Sequence, residues 1–82
     1  MGFSTGPLTS IKPGVTHQWA YTWGDDRGAQ VATARPFDPA VILWATAQGT
    51  EFETERYYVY WVRITNEGPY EASYGLQGGG LT

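Results

Sequence analysis

The sequence predicts an all-β fold: a small antiparallel β-sandwich of about six strands, with a small β-barrel as the alternative closure. Three observations predict it. Apolar and polar residues alternate with period two from Val15 to Trp23 and from Tyr70 to Leu76. The run Arg56 to Thr65 is almost wholly β-branched or aromatic, the composition of a pleated, half-buried strand. The 11 Gly and 5 Pro cut the 82 residues into short segments, and no segment holds a helical period.

In chain order, Leu8 to Lys12 reads as a short first strand ended by Pro13-Gly14. Val15 to Trp23 follows, with Val15, His17, Trp19, Tyr21 and Trp23 on one face and Thr16, Gln18, Ala20 and Thr22 on the other. Gly24 to Gly28 is a polar turn built from residues that accept tight backbone angles. Ala29 to Arg35 is a third strand, stopped by Pro36-Phe37-Asp38-Pro39. Val41 to Gln48 is apolar on both faces, which predicts a central or doubly covered strand. Gly49 to Glu55 continues it as a loop or a strand extension. Arg56 to Thr65 is the strongest strand; Asn66-Glu67-Gly68-Pro69 turns the chain into Tyr70 to Gln77, and Gly78-Gly79-Gly80 ends the fold. No internal repeat or boundary divides the chain, so residues 1–82 form one expected domain.

Composition removes several function classes. The absence of Cys excludes disulfides, thiolate metal sites and cysteine nucleophiles. A net charge of -3 with five scattered basic residues argues against nucleic-acid binding, which rests on clustered Lys and Arg. The longest apolar run, Ala40 to Ala45, is too short to insert across a bilayer. Met1 to Gly6 has neither the basic start nor the apolar run of a signal peptide, and Gly6 stands where myristoylation needs Ser or Thr. The compartment stays open between cytoplasmic and extracellular.

Two stretches carry a family resemblance. Pro13-Gly14-Val15-Thr16-His17-Gln18-Trp19, and Val62-Arg63-Ile64-Thr65-Asn66-Glu67-Gly68 leading to Tyr74, resemble small bacterial immunoglobulin-like β-sandwich domains. In those domains a strand opens with Pro-Gly-x-Thr-His-x-Trp and the last hairpin carries Val-Arg-x-Thr-Asn-x-Gly. The resemblance implies the sandwich and supplies no functional residues.

No catalytic constellation emerges, and neither a cofactor nor a metal is expected. His17, the single histidine, has no nucleophile or ligand pattern around it. Asp25 and Asp26 offer hard oxygens for calcium, but Asp-Asp-Arg-Gly is also an ordinary turn. Glu51, Glu53 and Glu55 share one face of an extended chain, where a solvated acidic edge explains them better than a glycosidase pair.

The informative feature is the aromatic excess: 4 Trp, 6 Tyr and 3 Phe. On the strongest strand, Tyr58, Tyr60, Val62 and Ile64 can serve the core. Tyr57, Val59, Trp61 and Arg63 share the other face, and Arg63 directs that face toward solvent or a partner. Covering a bare Trp is worth about 5 kcal/mol, so Trp61 and Trp44 call for a second subunit or a ligand. The expected function is a non-enzymatic, lectin-like module recognising glycans. Its platform is Trp23 or Tyr21, and its polar contacts are Asp25, Asp26, Gln18 or His17. The alternative is a self-assembling subunit, a homo-oligomer or filament with Trp61, Tyr57, Val59 and Trp44 in the interface.

Overall fold

A computed structural model of the chain describes residues 2–23, 28–54 and 57–80, the side chains of Glu53, Thr54 and Tyr57 excepted. Among the described residues there is no helix. Seven strands run in the order β1 (Gly2–Ser4), β2 (Thr9–Ile11), β3 (Thr16–Tyr21), β4 (Gln30–Pro36), β5 (Leu43–Thr54), β6 (Tyr57–Asn66) and β7 (Ala72–Gly80). All pairings are antiparallel. They form two packed sheets rather than a closed barrel. In the four-stranded sheet β7 is central, with β4 along one side and β1 and β2 sharing the other. The three-stranded sheet has the order β3-β6-β5.

The period-two patterns dictate the core. Tyr60, Val62 and Ile64 of β6 point inward, as alternation requires; Val62 and Ile64 share one buried cluster with Ala72, Tyr74 and Leu76 of β7. Ile11, Ala32, Ala34 and Leu43 complete the buried cluster. Each fully buried aliphatic side chain contributes roughly 1.5–3 kcal/mol. The Gln48 side-chain oxygen of β5 accepts from the Ala32 N–H of β4 at 2.8 Å and ties the two sheets together.

Four details depart from the sequence reading. First, the chain begins with an additional strand, β1. Between β1 and β2 it stays against β7: Thr5 N–H donates to the Leu76 carbonyl at 2.9 Å, and the Thr5 hydroxyl accepts from Leu76 N–H at 2.8 Å. A side-chain oxygen thus replaces a backbone acceptor where the pairing shifts from one short strand to the other.

Second, Gly78-Gly79-Gly80 does not end the fold but belongs to β7, paired with β1 on one side and β4 on the other. A side chain at Gly78 would run into the Val31 carbonyl oxygen and the Ala32 Cα of β4, with the Phe3 ring of β1 at 3.0 Å. The glycines therefore admit close approach from both flanks rather than breaking the strand.

Third, β5 is an edge strand, not a central one. Its doubly apolar pattern arises because Leu43 and Ala45 pack inward while Trp44 points out of the sandwich, where no described element covers it. The stretch after Gln48 is the strand extension, not a loop, and makes β5 and β6 a long hairpin.

Fourth, the segment after Asn66 is not a hairpin turn. It crosses between sheets, from β6 in one to β7 in the other. Asn66 holds this crossing. Its side chain is fully buried, and Nδ2 donates to the Ile11 carbonyl at 3.0 Å and the Tyr70 carbonyl at 2.7 Å. Its Oδ1 accepts from Gly68 N–H at 2.9 Å, an Asx turn. The Asn66 backbone also exchanges bonds with Gly14 and Val15. The Asn66 side chain thus fixes the end of β2 and the crossover, and its backbone the start of β3.

Candidate functional site

Among the described residues no other strand covers the outer face of the three-stranded sheet, and its residues follow from register. Four rows run across it. Trp44, Thr65 and Thr16 form the first; Ala47, Arg63 and Gln18 the second; Gly49, Trp61 and Ala20 the third; Glu51 and Val59 the fourth. With about 3.3 Å per residue and about 4.8 Å between strands, the face spans roughly 20 Å by 10 Å.

A bulge in β5 between Ala45 and Ala47 makes this surface what it is. Without it, Gln48 and Thr50 would face outward in place of Ala47 and Gly49, because a one-residue slip exchanges the faces. With it, the smallest residues of β5 lie beside the largest residue of β6.

Trp61 stands between Gly49 and Ala20, so neither cross-strand neighbour covers its ring system. A methyl group added at Gly49 would meet no atom within 4 Å. The Trp61 indole N–H donates to Glu51 Oε1 at 3.2 Å, directing the ring along β5. On the other side, Arg63 Nε donates to Gln18 Oε1 at 2.8 Å, which fixes the guanidinium plane. Gln18, Ala47, Gln48, Gly49, Trp61 and Arg63 enclose an open trough of about 400 Å³. Beyond it, the hydroxyls of Thr16, Thr65 and Thr46 form a chain with links of 2.8 and 3.1 Å, beside the half-exposed Trp44.

The structure brings Gln18 together with Trp61, Val59 and Trp44 on this one face. It does not bring His17 and Tyr21 there; both lie on the opposite face of β3, toward the sandwich interior. Tyr21 stacks on Tyr60 with ring centroids 5.5 Å apart and meets Phe3 at 5.2 Å. Trp23 closes the same end of the sandwich, edge-on to Phe3 and Tyr21 and 37% exposed. Asp25, Asp26, Glu55 and the side chains of Glu53 and Tyr57 lie outside the described residues.

His17 is instead part of an internal network that sequence reasoning missed. The Tyr74 hydroxyl lies 2.7 Å from His17 Nδ1 and 2.7 Å from the Trp19 indole nitrogen. Trp19 can only donate, so the Tyr74 oxygen accepts from it. Sending the Tyr74 proton to His17 Nδ1 leaves no buried proton unpaired and places the imidazole proton on Nε2. The alternation put His17 and Trp19 on one face of the strand, but His17 was expected as a ligand contact, and nothing in the sequence paired either with a residue 55 or more positions away.

Burial raises the Tyr74 pKa above its ordinary 10.0, with the Trp19 bond pulling weakly the other way. Burial, then the neighbouring Tyr60, raises that of Tyr21 from 10.0. In both cases the folded state holds the proton more tightly. Above pH 10.0 the unfolded chain therefore ionises first and is favoured. Stability should be independent of these groups below pH 10.0 and fall as pH rises through the folded values. Melting temperature and tyrosinate absorbance followed together across that range test this; ionisation of all Tyr near 10.0 with unchanged melting would contradict it.

Comparison of the chain with family models, with curated proteins and with solved structures returns no significant match.

Proposed function

We propose that the protein is a non-enzymatic, lectin-like module that binds glycans on the outer face of the three-stranded sheet. The supporting observation is the setting of Trp61 between Gly49 and Ala20, with polar groups at both ends of the indole. Sugar rings carry C–H groups of partial positive charge on one face, and these lie flat against the negative face of an aromatic ring. Their hydroxyls need donors and acceptors at the ring's margin. Glu51 keeps a second carboxylate oxygen for that purpose, Gln18 its amide N–H groups and Arg63 its terminal N–H groups. The trough is shallow, so single-site affinity is modest and multivalent display strengthens it.

A glycan array probed with the wild-type chain and with Trp61→Ala tests the reading. Binding to at least one glycan class is expected, weakened about tenfold or more by the substitution, as loss of an aromatic anchor entails. The variant should keep a cooperative melt, because Trp61 lies outside the core. Absence of all glycan binding, or binding indifferent to Trp61, would contradict the proposal.

A second reading, self-assembly, is favoured by Ile42, just before the edge strand β5, and Trp44 within it, which are 64% and 51% exposed. Neighbouring apolar groups on an unpaired strand suit a contact with another copy. Sedimentation of the same samples over a dilution series separates the readings: assembly lost in Trp44→Ala supports the second, and a monomer that binds glycans supports the first.

A further inference from the structure

Resting on the glycan-binding reading, we infer that the trough selects carboxylated sugars, with Arg63 as the residue that recognises the acid group. A guanidinium carries five N–H donors, and Arg63 spends one of them, Nε, on Gln18. Gln18 is its only side-chain partner among the described residues, and no described carboxylate lies within ion-pair distance. Pairing across β3 and β6 accounts for that one bond and leaves the terminal nitrogens presented to solvent at the head of the trough.

The bond to Gln18 also holds the guanidinium plane. Two terminal N–H groups then lie in a fixed fork matching the two oxygens of a planar carboxylate. Arg63 is the only cationic side chain described on this face, and the chain as a whole carries a net charge of -3. Selection for an acid must therefore be local to the fork, since the overall field repels anions.

The opposite end of the face sets the orientation. Glu51 pairs with Val59, four residues before Arg63 along β6, about 13 Å away at strand spacing. An acid group is repelled from Glu51 and attracted to Arg63, whereas sugar hydroxyls donate to Glu51. Trp61 lies between the two. The ligand this arrangement fits has its carboxylate over Ala47 and Arg63, a ring on Trp61 and hydroxyls toward Glu51.

The test uses the full chain and a panel of uronic-acid- and sialic-acid-containing glycans. Alongside them are the same glycans with their carboxyls reduced to alcohols, and sulfated counterparts. Carboxylated members should bind about ten- to hundredfold more tightly than their reduced forms, the range of a charge-assisted pair of bonds. Arg63→Gln should remove that preference while keeping weak binding that depends on Trp61. Arg63→Lys, which keeps the charge but loses the fork, should restore only part of it. Equal binding of reduced and carboxylated glycans, still dependent on Trp61, would overturn this inference and leave the glycan reading standing. Sulfated glycans bound as tightly as carboxylated ones would also overturn it, because charge rather than the planar acid would then be read. Failure to bind any member, with no Trp61-dependent binding on a general array, would overturn both.

Discussion

Replacing Asn66 by Ala is expected to lower the melting temperature by about 12–24 °C, the largest effect of any single polar substitution in this domain. The Asn66 side chain makes three hydrogen bonds while fully buried. Its removal leaves the carbonyls of Ile11 and Tyr70 and the N–H of Gly68 without that partner. Stranding buried groups costs about 1–3 kcal/mol each, and partial hydration of the more open Tyr70 and Gly68 groups reduces the sum to about 3 kcal/mol. A chain of this length has only about 4–12 kcal/mol of total stability. Asn66→Asp provides the control, since it retains an acceptor for Gly68 but replaces both donations with a buried charge. It should do at least as much harm as Ala. Thermal unfolding followed by circular dichroism measures both. A fall of less than about 4 °C in Asn66→Ala would show that the crossover is not held by this side chain.

A contrast between two glycines of the sheets is the second large effect. A methyl group at Gly75 would collide with the Gly6 carbonyl oxygen and the Thr5 hydroxyl, where the chain between β1 and β2 passes over β7. Both are tied to β7, the hydroxyl directly through its bond from Leu76, so neither can yield as a flexible side-chain tip would. Gly75→Ala should therefore detach the β1 segment or cost about 1–3 kcal/mol through overpacking. Gly49→Ala meets open space and lies in a strand interior, where Ala is favoured over Gly by about 0.5–1 kcal/mol. It should melt at or slightly above the wild-type temperature. Equal melting temperatures for the two variants would contradict the tight crossing at Gly75.

The fold class was legible because its main determinants are periodic. Val15 to Trp23 and Arg56 to Thr65 alternate strictly enough that the two faces of β3 and β6 follow by counting, but not which face of β3 is inward, so His17 and Tyr21 were expected at the ligand site. What could not be counted was register in β5. The bulge between Ala45 and Ala47 exchanges its faces partway along, and no residue type announces it. Glu51 therefore read as part of an acidic edge and Gly49 as the start of a loop or strand extension, although together they frame Trp61. The β7 glycines misled for a related reason: a Gly run signals a turn, yet here the missing side chains let β1 and β4 close in on the strand. Trp61 and Arg63 were visible as outward residues and Gln18 as a ligand contact, whereas their convergence depended on which strands become neighbours. The Tyr74 network with His17 and Trp19 joins opposite sheets, and pattern within a single strand carries no information about that.

The central claim is that ligands are received on the outer sheet face around Trp61. A heteronuclear NMR titration of the full chain with a carboxylated glycan from the panel tests it most directly. The largest shifts should fall on the Trp61 indole N–H, the Gly49 and Ala47 amides and the side chains of Gln18 and Arg63, with Tyr74 and Tyr21 unmoved. Shifts centred instead on Trp23, His17 or the β4 edge, with the Trp61 signals unchanged at saturation, would contradict it.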